Sequence, residues 1–185
     1  MKKVLYIMGQ LTDDDIEWMT RAGTQRRLAD GDQLIRQGEG ISSIYILLNG
    51  YLQVSAQGLG LLATLGVGEI VGEMSFVDSA PPSATVTASG DCLVFQLSKD
   101  DLQRKLNQDP SFGQRFYRAL AIFLADRLRS TVKHLGYGAE EETSLDADEI
   151  LEDELDENLL DTVSVAGERF DRMLKALVSG KTTNR

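Results

Sequence analysis

The sequence has a long gap in its positive charge. From Gln37 to Ser98, 62 residues, there is no lysine, arginine or histidine. An anion held by that stretch would rest on backbone N–H groups, or on cations brought from elsewhere in the fold. Histidine is nearly absent: His134 is the only one, and it lies far along the chain. A metal-binding β-roll needs several such ligands, so that class is excluded. Cys92 is the only cysteine, which rules out an internal disulfide and fits a reduced compartment. It sits in an apolar, strand-like run with no histidine near it in sequence, and reads as a small buried residue rather than a nucleophile. No apolar run approaches the roughly 20 residues that span a bilayer. The start, MKKVLYIMGQLTDDD, has too short an apolar core for a secretory signal. The expected setting is soluble and cytoplasmic, with no membrane partner.

Negative charge is abundant but concentrated. The chain has 29 acids and 19 bases, for a net charge of −10. Twelve of the acids fall between Ala139 and Asp161, with no lysine or arginine among them. Taking those 12 from 29 leaves 17 acids against 19 bases, so the rest of the chain is close to neutral. Nucleic acid phosphates would repel the acidic segment.

Hydrophobic residues make up 42% of the chain, enough for a globular core. A short helix is predicted from Thr12 to Ala22. Thr12 caps it, Asp13 to Asp15 suit the positive helix start, and Gly23 ends it. From Thr24 to Ser98 short apolar stretches alternate with glycines, among them Gly31, Gly38, Gly50, Gly60, Gly68 and Gly72. That texture predicts about eight strands in an all-β roll or barrel. Helices follow, over Lys99 to Leu106 and, after the break at Asn107 to Pro110, over Ser111 to Leu135. The long helix has two adjacent apolar rows. One holds Phe112, Phe116, Ala119 and Phe123 and, after a shift, Leu128, Val132 and Leu135; Leu120 and Leu124 form the other. That is wider than one core-facing stripe requires, and predicts a homodimer face. Val163 to Val178 has the spacing of an amphipathic helix, with Phe170, Met173, Leu174 and Leu177 on one face.

Three motifs in order carry a resemblance. Leu34-Ile35-x-x-Gly38-Glu39 is followed by Ile44 to Leu47 and Gly50; then come Gly68-x-Ile70-x-Gly72-Glu73-Met74 and Pro81-x-Ser83-Ala84-Thr85-Val86. Over about Leu11 to Leu135 the chain resembles cyclic nucleotide-binding domains, closest in look to Crp/Fnr-type regulators and the regulatory subunits of protein kinase A. The resemblance implies an α+β fold: an antiparallel β-roll (jelly roll) flanked by an N-terminal helix and C-terminal helices. It divides the chain into residues 1–135 (roll about 24–98, helices about 99–135), an acidic linker at 136–161, and a C-terminal helix and tail at 162–185. It also implies a phosphate-binding cassette for cyclic AMP or cyclic GMP. In that pattern Glu73 accepts a hydrogen bond from the ribose. Gly72, Met74, Ser75, Ser83 and Ala84 give backbone or small-group contacts, and Thr131 reaches the base from the long helix. Two departures stand out. Ile41 replaces a small residue, and Pro82 replaces the arginine that pairs with the phosphate. Proline has no donor at all. A charge-assisted contact is worth about 1.5–3 kcal/mol, so its loss weakens binding by about 10- to 150-fold. Glu73 then has a second reading, as a buried carboxylate holding its own turn. Thr131 likewise has one, facing solvent or a partner helix.

The expected function is a non-catalytic regulatory module with a degenerate cassette, acting through a small ligand or a protein partner for the C-terminal arm. A working cyclic AMP or cyclic GMP regulator is the alternative. A Crp/Fnr-derived transcription regulator without its own DNA-binding domain is another, since no basic recognition helix follows the long helix. Arg169, Arg172 and Lys175 on one helix read as a solvated face. The residues form no catalytic constellation; no metal is expected, and the one cofactor the resemblance suggests is a cyclic nucleotide, cyclic AMP or cyclic GMP.

Overall fold

The computed structural model describes residues 4–136 and 157–179. Most of the acidic stretch and the C-terminal tail therefore lie outside the described residues. The chain opens with α1 (Val4–Gln10), which the sequence reading did not anticipate, then α2 (Asp13–Ala22). Thr12 and Asp15 close a capping box at the start of α2. The Asp15 N–H donates to Thr12 Oγ1 at 3.3 Å, and the Thr12 N–H donates to Asp15 Oδ2 at 2.8 Å.

Six strands follow: β1 (Thr24–Leu28), β2 (Gln33–Ile35), β3 (Ser43–Ala56), β4 (Gly60–Leu65), β5 (Ile70–Val71) and β6 (Thr85–Ser98). A single helical turn, α3 (Met74–Val77), sits between β5 and β6. All pairings are antiparallel. The main order is β1-β6-β3-β4, with β2 on β6 and β5 on β3. The roll expected from the sequence is present, with six strands rather than about eight. The difference lies in β3 and β6, each 14 residues long. Their register shifts between Leu47 and Tyr51, where each long strand bends around the roll and does the work of two. Gly50, at φ +88°, permits that bend, since a Cβ there would lie 2.7 Å from the Asp91 carbonyl.

The run Ile44 to Leu48 is buried on both faces. Strand alternation sends Tyr45 and Leu47 into the roll, where they join Leu52, Val71, Val86 and Val94. It sends Ile44, Ile46 and Leu48 outward against the helices. Those helices are α4 (Lys99–Gln108), α5 (Pro110–Gly136) and α6 (Glu157–Ser179), together with α1 and α2. Pro110 opens α5 at the first helical position, and Asp109 caps it through the Phe112 N–H at 2.9 Å. α6 begins inside the stretch read as linker. Its Ala166, Phe170 and Met173 are buried in the same outer core as Phe112, Phe116 and Phe123 of α5. The C-terminal helix thus docks on its own chain, against α1 and α2.

Candidate functional site

The site lies where β5 runs into α3. Val71 pairs with Tyr45 and Ile70 with Ile46, so the turn after β5 is fixed to the middle of the roll. Gly72 makes that turn at φ +88°. A Cβ there would lie 2.9 Å from Ile41 Cδ1 and 3.0 Å from the Ser43 carbonyl, so the turn is closed to any larger residue. The isoleucine that departs from the family pattern is packed on this glycine. α3 is held by the Phe76 and Val77 N–H groups, both donating to the Glu73 carbonyl at 3.1 Å. Met74 is half exposed and Ser75 partly buried.

Glu73 is 2% exposed and makes no capping bond to α3. Its carboxylate meets the guanidinium of Arg127 on α5, with Nη1 to Oε1 at 2.5 Å. Arg127 also donates from Nη2 to the Ile70 carbonyl at 3.0 Å, lies 3.6 Å from Glu69, and stacks 4.8 Å from the Phe123 ring centroid. One cation therefore ties two carboxylates and a β5 carbonyl to the long helix. Burial raises the Glu73 pKa above the ordinary glutamate range, and the nearby Arg127 charge only partly offsets it. Glu73 also lines an apolar cavity of about 10 Å³ with Ile7, Phe76, Phe116 and Leu120, too small for more than one water molecule.

The second half of the cassette is stapled to the turn after β2. The Gly38 N–H donates to the Pro82 carbonyl at 2.9 Å, and the Gln37 N–H donates to Thr85 Oγ1 at 3.1 Å. Ser83 is exposed and Ala84 partly buried. Thr131 is exposed, and its hydroxyl donates to the Arg127 carbonyl at 2.9 Å, one turn back on α5. The structure thus groups Gly72 to Ser75 with Arg127, and Pro82 to Thr85 with the Arg36–Gly40 turn. Thr131 touches the first group only through that bond to the Arg127 backbone.

Arg127 is the residue that sequence reasoning missed. The signal was present in two places. The cation-free stretch leaves a buried Glu73 without a partner inside the roll. The apolar row Phe112, Phe116, Phe123 also breaks at Arg127, where its helical period calls for the next apolar residue. Cys92 is buried, and its thiol donates to the Tyr51 carbonyl at 3.0 Å, in keeping with a structural role. Among the described residues no group of three or more His, Cys, Asp or Glu could hold a metal, and no helix is long and apolar enough to cross a membrane.

Residues 25–109 match the family model described as "Cyclic nucleotide-binding domain". A cAMP-dependent protein kinase regulatory subunit of Debaryomyces hansenii is 33% identical over 92 residues, covering 45% of this chain and 20% of that protein. The Cyclic AMP receptor protein of Thermus thermophilus is 33% identical over 110 residues, covering 57% of this chain and 49% of that protein. The chain spans less than a third of the kinase regulatory subunits it matches. A solved cyclic nucleotide-binding domain from Methylobacillus flagellatus superposes with a TM-score of 0.66 at 23% identity, over 77% of this chain and 85% of that one.

Proposed function

We propose that the chain, whose residues 25–109 match the cyclic nucleotide-binding domain model, is a non-catalytic regulatory module whose cassette is read by the long helix through Arg127. The observation that carries this is the Glu73–Arg127 pair, with Arg127 also on the Ile70 carbonyl. Any ligand that moves the Gly72–Ser75 turn must move or strain that pair, and α5 with it. The proposed ligand contacts are the backbone and small groups of Gly72, Met74, Ser75, Ser83 and Ala84. Pro82 leaves the phosphate without its cation, and Glu73 is already engaged. In this reading Thr131 comes into play only if α5 shifts. The unit extends to about residue 135, the acidic stretch links it to α6, and two copies pair through the exposed part of α5 in the cytoplasm.

The names of the relatives favour a second reading, a working cyclic AMP or cyclic GMP sensor. Calorimetric titration of the full chain with both nucleotides separates the two. Affinity weaker than about micromolar fits the degenerate cassette, and submicromolar affinity establishes the second reading. Pro82→Arg restores a phosphate partner and is expected to strengthen binding about tenfold or more. The substitution keeps the Pro82 carbonyl that Gly38 uses.

A further inference from the structure

α1 is seven residues long, and a helix of that length does not persist alone in water. It is held between neighbours. On one side it packs against α5, and Ile7 forms part of the wall of the cavity beside Glu73. On the other side it packs against α6. There Arg169 donates from Nη1 to the Met8 carbonyl at 3.1 Å and from Nε to Asp13 Oδ1 at 2.7 Å. Arg172 reaches the other oxygen of Asp13 at 3.0 Å. Arg169 and Arg172 are three positions apart, so both fall on the α6 face that meets Asp13. Phe170 and Met173, each 1% exposed, fill the apolar part of the same contact. A continuous path therefore runs from α6 through Met8 and Ile7 to Glu73 and Arg127.

We infer that α6 is a regulatory latch built into the chain: clasped to Asp13 and the Met8 carbonyl, it holds α1 in place and so keeps the Glu73 carboxylate shut away from water. The latch can open without leaving the molecule. Twenty residues separate the end of α5 from the start of α6, so a released α6 stays tethered at high effective concentration and redocks. With α6 away, α1 loses one of its two supports. Ile7 no longer seals the cavity, and water reaches Glu73. A partner that binds the apolar face of α6 would then act on the cassette without touching it.

Amide hydrogen exchange on the full chain tests this without any ligand, so the result is independent of whether the roll binds a nucleotide. In the variant R169D/R172D, amides of α6, of residues 4–10 and of residues 70–77 are expected to exchange about tenfold faster or more. The paired centres of β3 and β6 keep their protection. Adding Asp13→Arg, which re-forms the clasp with reversed charges, restores protection in all three segments. The inference is overturned if α6 opens while residues 4–10 and 70–77 stay as protected as in the parent chain. It is equally overturned if α6 remains closed, because the clasp then does not hold it. Should the double variant lose protection throughout β3 and β6, Arg172→Asp alone, at an exposed position, is read by the same criteria.

Discussion

Glu73 and Asp15 are both nearly fully buried, and they respond to pH with opposite sign. For Glu73 burial dominates, and the pKa rises above its ordinary 4.5. A carboxyl group raised in the folded state favours folding at low pH, and that contribution is lost as pH climbs through the folded value. For Asp15 burial also pushes upward, but the two bonds from Arg115 and those of Thr12 outweigh it, and the pKa falls below 3.8. Its contribution is present at neutral pH and disappears as pH drops through the folded value. Glu73→Gln removes the first titration. Its stability relative to the parent chain should therefore rise between pH 4 and pH 7.5, as read from urea midpoints. A difference that stays flat or falls would mean that Arg127, and not burial, governs Glu73. Glu73 was legible in the sequence as a carboxylate in a cassette. Its partner was less so, because 54 positions separate it from Arg127 and only the fold closes that distance.

At the scale of elements, the roll and the two helices after it were legible because glycines, caps and period carry local signals. Thr12 and Ser98 cap real helix starts, Pro110 opens α5 where the sequence reading places the end of the break, and α4 and α5 end within two residues of expectation. α1 was not legible: it is seven residues long and carries no charged residue, and it packs against α5 and α6. α2 shows what fixes such helices in place. Arg115 of α5 holds Asp15 through two bonds, Nε to Oδ2 at 2.8 Å and Nη2 to Oδ1 at 2.9 Å. Asp15 is 3% exposed and at the same time closes the capping box of α2. Arg115→Ala leaves that carboxylate buried without its cation. Discounted for the partial exposure of Arg115, the expected loss is about 2–3 kcal/mol in urea unfolding at neutral pH. It should shrink below pH 4, where Asp15 protonates and the unpaired charge disappears. A loss that does not depend on pH would assign the effect to packing.

At the scale of the whole molecule, the question is which part of α5 remains for a second copy. The sequence shows two apolar rows along the full helix, and either Phe123 or Leu124 looks suitable for breaking a dimer. The structure divides the helix differently. Phe112, Phe116, Leu120 and Phe123 are buried in the chain's own outer core. Along Leu120, Leu124, Leu128 and Val132, each four positions after the last and so drawn from both rows, exposure grows: Leu120 is 2% exposed, Leu124 is partly buried, and Leu128 and Val132 are 64% and 58% exposed. Apolar residues so placed at i and i+4 form a narrow seam of the kind that two helices bury against each other. The expectation of a dimer therefore moves to the C-terminal half of α5, and the test moves with it. Phe123→Asp should unfold the chain, since it puts a charge at a fully buried position. Leu128→Asp with Val132→Asp should yield folded monomers, because neither side chain is needed by its own core. Light scattering at micromolar concentration reads the mass, and circular dichroism reads the fold. A parent chain that is already monomeric at that concentration would contradict the seam. So would a double variant that stays dimeric, which would place the contact elsewhere, for instance on the uncharged β3–β4 hairpin with its exposed Leu59, Leu61 and Leu62.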